Sequence, residues 1–151
     1  PEYSGYIYRM KEGLYHLSYV STGCDGLRFE HIQEIVETAQ RNNAAVGVTG
    51  ILLYCNKHFF QILEGEKAAV DEVFRRIQAD HRHDNIIQLQ RHPVEERHFE
   101  KWSMAFKSYN RELQELDHFN LEAFYSHIRD CRCGCQHASL KILADFFDLN
   151  G

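Results

Sequence analysis

Gln61 is the residue with the greatest chemical consequence in this chain, because it stands inside the apolar run F-F-Q-I-L-E-G from Phe59 to Gly65. Strand alternation groups it with Phe59 and Leu63 on one face, while Phe60 and Ile62 take the other. Both faces are apolar, so the carboxamide is expected to be buried. Leaving its donors and acceptor unmet would cost about 1–3 kcal/mol, so another side chain or a polar ligand must satisfy them. Tyr19 shares a strand face with Tyr15, Leu17 and Ser21 in L-Y-H-L-S-Y-V-S, which makes it core-facing. By itself it is a packing tyrosine whose hydroxyl finds a partner, as buried tyrosines do.

Two other clusters could do chemistry. Asp80-His81-Arg82-His83-Asp84 closes a helix-period segment and reads as a solvated loop, or as groups reaching the polar edge of a ligand. Cys131 to His137, C-R-C-G-C-Q-H, has C-x-C-x-C spacing rather than the C-x-x-C of structural zinc sites, and no partner pair elsewhere. Free thiols in a connecting turn are expected there, and no metal. A small enzyme drawing an acid, base or nucleophile from these clusters is a competing class, but ten histidines make accidental clusters common and no base with its orienting partner stands out.

Composition narrows the classes further. A length of 151 residues, 44% hydrophobic and 13% aromatic, implies one globular domain. The net charge of −5, with Lys and Arg dispersed, disfavours direct nucleic-acid binding. The N-terminal residues hold no apolar signal core, and no segment approaches the roughly 18–20 apolar residues needed to cross a bilayer, so no membrane association and a cytoplasmic location are expected. Five cysteines, Cys24, Cys55, Cys131, Cys133 and Cys135, fit reduced thiols better than a disulfide framework.

The elements that must position Gln61 and Tyr19 follow from periodicity. Leu14–Ser21 reads as a strand, and Phe29, Ile32, Ile35, Val36 and Ala39 mark a helix capped by Asp25 and ended at about Asn42-Asn43. An αL residue at the helix end explains one of those asparagines better than two. Val48–Cys55 and His58–Glu64 form a hairpin around Asn56-Lys57, with Gly47, Gly50 and Gly65 at its margins. Val70, Val73, Phe74 and Ile77 mark a second helix; Ile86–Gln90, ended by Pro93, and Trp102–Tyr109 are further strands, the last with Trp102, Met104 and Phe106 on one face.

The order βαββαββ implies an α+β ferredoxin-like sandwich, a five-stranded mixed sheet with both helices on one face. A C-terminal helical pair, with Leu121, Phe124, Tyr125 and Ile128 on one stripe and Leu140, Leu143, Phe146 and Phe147 on the other, is expected to cover the second face. The division is then an N-terminal extension over 1–13, a core domain over 14–109 and a helical extension over 110–151.

An ordered set of motifs, L-Y-H-L-S-Y, N-N with V-T-G-I-L-L-Y, F-F-Q-I-L-E-G, D-H-R-H and W-S-M, resembles the BLUF domain, the flavin-binding blue-light sensor module, over about Leu14 to Tyr109. The intervals from Tyr19 to Gln61 (42 residues) and from Tyr19 to Met104 (85 residues) are those of family members. The resemblance implies a flavin between the two helices, with Tyr19 as the redox-active tyrosine, Gln61 between it and the flavin, and Asn43 on the ring's carbonyl and imide edge. Met104 and Trp102 would report the switch, and Asn42, Asp80, Arg82 and His83 would lie near the ring, ribityl chain or phosphate.

Light would then drive electron and proton transfer from Tyr19, and the Gln61 amide would rearrange by rotation or tautomerisation. The result would be a red-shifted signalling state passed to the C-terminal helices. Without a catalytic activity of its own, the chain is expected to act on a separate downstream protein or by changing its own oligomeric state, as a homo-oligomer. FAD is the expected flavin, with FMN and riboflavin as alternatives, since no G-x-G-x-x-G phosphate loop is present. The alternative is a small α+β ligand-binding or dimerisation domain without photochemistry.

Overall fold

The computed structural model describes residues 13–100 and 103–108. Five strands and two helices alternate along the chain: β1 (Leu14–Gly23), α1 (Phe29–Ala45), β2 (Thr49–Cys55), β3 (His58–Glu66), α2 (Lys67–Ala79), β4 (His83–Val94) and β5 (Ala105–Ser108). The sheet order is β4-β1-β3-β2-β5. Antiparallel pairs join β1 to β3 and β4, and β2 to β3, while β2 and β5 are parallel, so the sheet is mixed as expected.

Both helices pack on one sheet face. Ile32 and Val36 of α1 and Val70, Val73 and Phe74 of α2 bury against Leu17, Tyr19, Leu52, Phe59, Leu63 and Phe106. Each fully buried side chain of this size contributes about 1.5–3 kcal/mol by leaving water. The opposite face carries Ile51, Leu53, Phe60 and Ile62, all buried. The helical pair expected over that face, and the extensions over 1–12 and 110–151, lie outside the described residues, as does the C-R-C-G-C-Q-H segment. Among the described residues no helix is long and apolar enough to cross a membrane, and no group of three or more His, Cys, Asp or Glu is placed to hold a metal ion.

Several boundaries differ from expectation, each for a local reason. Asp25 does not cap α1: a turn closed by Leu27 N–H donating to Cys24 O, with Gly26 at φ +82°, delays the helix, and Arg28 takes the N-cap position. A guanidinium has no acceptor, so the cap works in reverse, with the Arg28 N–H donating to His31 Nδ1 at 2.9 Å. Helix α1 does not stop at Asn42-Asn43 but runs to Ala45, and the left-handed residue that turns the chain is Gly47 at φ +70°. Strand β4 extends well beyond Ile86–Gln90, and Pro93 lies within it opposite Tyr15; an edge strand tolerates a missing N–H. Strand β5 is shorter than expected and begins after Met104.

The hairpin turn is as expected but stronger: Asn56 and Lys57 both adopt positive φ, +49° and +69°, which matches the twist of the flanking strands. Gly50 is obligatory, because a Cβ there would meet the Ile62 carbonyl oxygen at 1.8 Å. Gly65 lies inside β3 rather than ending it, where the Gly47 carbonyl oxygen approaches to 3.1 Å of the place a Cβ would take.

Glu64 anchors the connection between β4 and β5 from the second face. Its fully buried carboxylate accepts the N–H groups of His98 (2.8 Å) and Phe99 (3.1 Å) and lies 2.9 Å from His98 Nδ1 and 3.6 Å from His16 Nδ1. Burial by itself would raise the carboxyl pKa; the nearby His16 imidazole and the hydrogen bonds from His98 outweigh it and hold the value down at about 2.

Candidate functional site

Between the two helices lies a mostly apolar cleft with a few polar groups on its walls, the usual character of small-molecule sites. One wall is a single helical stripe of α1, Ile35, Thr38, Ala39, Asn42 and Asn43; the other is Val73, Arg76 and Ile77 of α2 with Asp80 beyond it. Tyr19, Leu52, Phe59 and Gln61 form the floor, and Arg82 and His83 complete the lining. All the residues expected at the flavin, Tyr19, Asn42, Asn43, Gln61, Asp80, Arg82 and His83, therefore converge on one cavity.

At the floor, Tyr19 and Gln61 are directly opposite partners in the β1–β3 ladder, and the Tyr19 hydroxyl donates to Gln61 Oε1. Gln61 Nε2 donates to the Met104 sulfur at 3.3 Å. In this arrangement the amide oxygen faces the tyrosine and the nitrogen faces the methionine. Tyr19 packs against Phe74 with ring centroids 5.5 Å apart and against His83 at 6.3 Å. Burial, reinforced by the negative charge of Asp80, pushes the Tyr19 pKa far above the ordinary phenol value, so the hydroxyl keeps its proton in the resting protein. Met104 is buried beneath this pair, while Trp102 lies outside the described residues.

Asn43 is buried at 2% exposure, and its backbone carbonyl closes the end of α1 by accepting from Val46 and Val48 N–H at 3.2 and 2.9 Å. Its side-chain Nδ2 is buried without a protein partner at the cleft wall. An unmet amide donor beside an apolar slot is what the carbonyl edge of a flat heterocycle would satisfy, so the residues present fit a flavin.

The D-H-R-H segment divides between surface and site. His81 is exposed, whereas the Arg82 guanidinium grips Asp80 through Nε (2.9 and 3.1 Å) and Nη2 (2.7 Å) and lies 3.8 Å from Glu34 of α1. Burial would raise the Asp80 pKa, but the bonds from Arg82 outweigh it and hold the carboxyl below its ordinary range. The His83 Nε2 lies 2.7 Å from the Ile77 carbonyl, which can only accept, so Nε2 carries the proton and Nδ1 accepts the Ser21 hydroxyl at 2.8 Å. Through these two bonds His83 ties β1 to the end of α2.

Arg76 and Thr38 line the cleft without having been anticipated. The signal was present, since Arg76 follows Val73 by three residues and Thr38 follows Ile35 by three, which places each beside an apolar lining residue. Ser21 was placed on the Tyr19 face, but its bond to His83 was not foreseeable from spacing.

Known proteins resemble the chain over this region. The bacterial antirepressor BluF of Escherichia coli (strain K12), regulated by blue light and temperature, is 48% identical over 58 residues, 38% of this chain and 14% of that protein. The photoactivated adenylate cyclase subunit beta of Euglena longa is 34% identical over 90 residues, 59% of this chain and 10% of that protein. The chain thus spans a seventh or less of these two relatives. Among solved structures, the dark state of the BLUF protein BlrB superposes with a TM-score of 0.64 at 32% identity, covering 88% of this chain and 97% of that one. The photo-activated state of BlsA gives 0.62 at 32% identity, covering 68% and 74%. The sequence profile described as sensors of blue-light using FAD matches residues 14–105, which include every described residue of the cleft and its Tyr19–Gln61–Met104 chain, and the protein therefore belongs to the BLUF family.

Proposed function

We propose that blue-light sensing by this BLUF domain runs through Tyr19, Gln61 and Met104, with Asn43 holding the flavin. The observation that carries this is the continuous hydrogen-bonded line from the Tyr19 hydroxyl through the Gln61 amide to the Met104 sulfur, laid along the floor of a cleft that fits a flavin. A bound flavin excited by blue light supplies the oxidant. Tyr19 gives up an electron, and because its proton is otherwise tightly held, the proton leaves with it toward Gln61 Oε1, the acceptor already in place. The return of both to Tyr19 leaves nothing chemically consumed and the Gln61 amide rearranged.

A rearranged amide no longer offers its N–H to the Met104 sulfur, so the change reaches the strand β5 that Met104 precedes. The residues after β5, including the stretch over 110–151, are the natural output element, acting on a separate protein or on a second copy of this chain. The named relatives support a signalling role, one being an antirepressor and the other a cyclase subunit. The dispersed charge supports a protein rather than nucleic acid as the direct partner, and the absence of a membrane-crossing helix among the described residues is in keeping with a cytoplasmic setting.

The test is an absorption spectrum of the flavin-loaded protein before and after a blue pulse. A small red shift that reverses in darkness is expected. A bleached flavin would indicate ordinary photoreduction and remove Gln61 from the mechanism.

A further inference from the structure

Met104 lies in the core but just ahead of the paired residues of β5. The β2–β5 ladder begins with Ile51 opposite Ala105, one residue later, and β5 is a four-residue strand at the sheet edge. Upstream, the Glu64 carboxylate fixes the chain at His98 and Phe99. Between these anchors, Met104 is gripped from two sides: Gln61 Nε2 reaches its sulfur at 3.3 Å, and Gln40 Nε2 of α1 reaches its backbone carbonyl at 3.1 Å. The carbonyl can only accept, so the orientation of the Gln40 amide is settled by chemistry. A thioether is a weak acceptor, so the Gln61 contact alone holds the methionine poorly, and the bond to the carbonyl is the stronger of the two.

We propose that Gln40 is a positioning residue of the light switch, tethering the Met104 backbone to the flavin-binding helix so that the sulfur stays within reach of the Gln61 amide. Gln40 lies three residues before Asn43 on α1, so the helix that lines the cleft also carries the tether. When the Gln61 amide rearranges, its bond to sulfur is lost while the Gln40 bond to the carbonyl persists. Met104 therefore waits beside its dark position, and return is fast. Removing the tether lets Met104 leave, and the dark arrangement must be found again. The proposal rests on the role given to Gln61 and Met104 above.

The experiment follows dark recovery of the red-shifted spectrum in the flavin-loaded wild type, Gln40→Ala, Gln40→Glu and Gln40→Lys, and repeats Gln40→Ala in a Met104→Ala background. Losing one neutral hydrogen bond predicts recovery about fivefold slower in Gln40→Ala. Gln40→Glu should match it, because an ionised carboxylate has no proton to donate, and Gln40→Lys, which keeps a donor, should recover near the wild-type rate. In the Met104→Ala background Gln40→Ala should change the rate by less than about twofold. Wild-type recovery in both Gln40→Ala and Gln40→Glu, or equal slowing with and without the Met104 side chain, would overturn the tether. A wild type with no reversible shift would instead remove the underlying role of Gln61, and the tether with it.

Discussion

Tyr19 and Gln61 are cross-strand partners in the β1–β3 ladder, and the hydroxyl of one donates to the amide oxygen of the other. Directly opposed residues hold their Cβ atoms about 4.5–5.5 Å apart, so this contact is set by sheet register rather than by a loop. A slip of one residue would turn Gln61 to the opposite face. The contact proposed to carry the switch is therefore set by the pairing of two central strands.

Tyr19→Phe should keep the fold and the flavin but show no reversible red shift in light-minus-dark absorption. The ring packing against Phe74 is retained, while Gln61 Oε1 loses its donor, so thermal unfolding should report a loss of about 1–2 kcal/mol.

Asn43→Ala separates binding from stability. The buried Nδ2 has no protein partner, so removing it should leave the flavin-free protein as stable as the wild type or slightly more so. Flavin affinity, measured by fluorescence titration, should fall about tenfold or more, since the donor that the flavin would satisfy is gone.

Glu64 makes stability acid-sensitive. Its carboxyl is held at about 2 in the folded protein against an ordinary value of 4.5, so the unfolded chain binds the proton more tightly. The stabilisation is fully present above pH 4.5 and is lost as pH falls toward 2; the shift corresponds to something on the order of 3 kcal/mol. Denaturant titrations across that range should show the loss, and Glu64→Gln should flatten it while lowering stability at neutral pH.

Gly50→Ala should prevent β2 from pairing with β3, because the added Cβ would fall 1.8 Å from the Ile62 carbonyl oxygen; a loss of about 3 kcal/mol or more is expected. Gly13→Ala, whose nearest neighbour is the Val94 carbonyl oxygen at 3.9 Å, serves as the near-neutral comparison in the same thermal melt.

The parts of this fold written in regular periods were legible. Period-two alternation grouped Gln61 with Phe59 and Leu63 and Tyr19 with Leu17, the sets that the structure turns toward the helices, and the 3.6-residue stripes located both helices. What escaped was set by tertiary context. Asn42-Asn43 resembles a helix stop, yet the true stop is Gly47, because the Asn43 carbonyl is needed to receive two N–H groups from the following turn. Strand β4 was under-read because register shifts opposite Ser18/Tyr19 and Val20/Thr22 break its alternation, and Pro93 resembles a terminator when an edge strand can absorb it. The Glu64 clamp was missed although its signal was available: Glu64 alternates with Ile62 and Phe60, which marks a buried acid needing partners, but His16 and His98 are brought to it only by folding.

The most direct measurement is the light-minus-dark absorption spectrum of flavin-loaded Gln61→Leu beside the wild type. A Tyr19–Gln61–Met104 switch predicts normal flavin binding and no reversible red shift, because leucine neither accepts from Tyr19 nor donates to Met104. A shift of wild-type size in Gln61→Leu would contradict it and place the photochemistry elsewhere in the cleft.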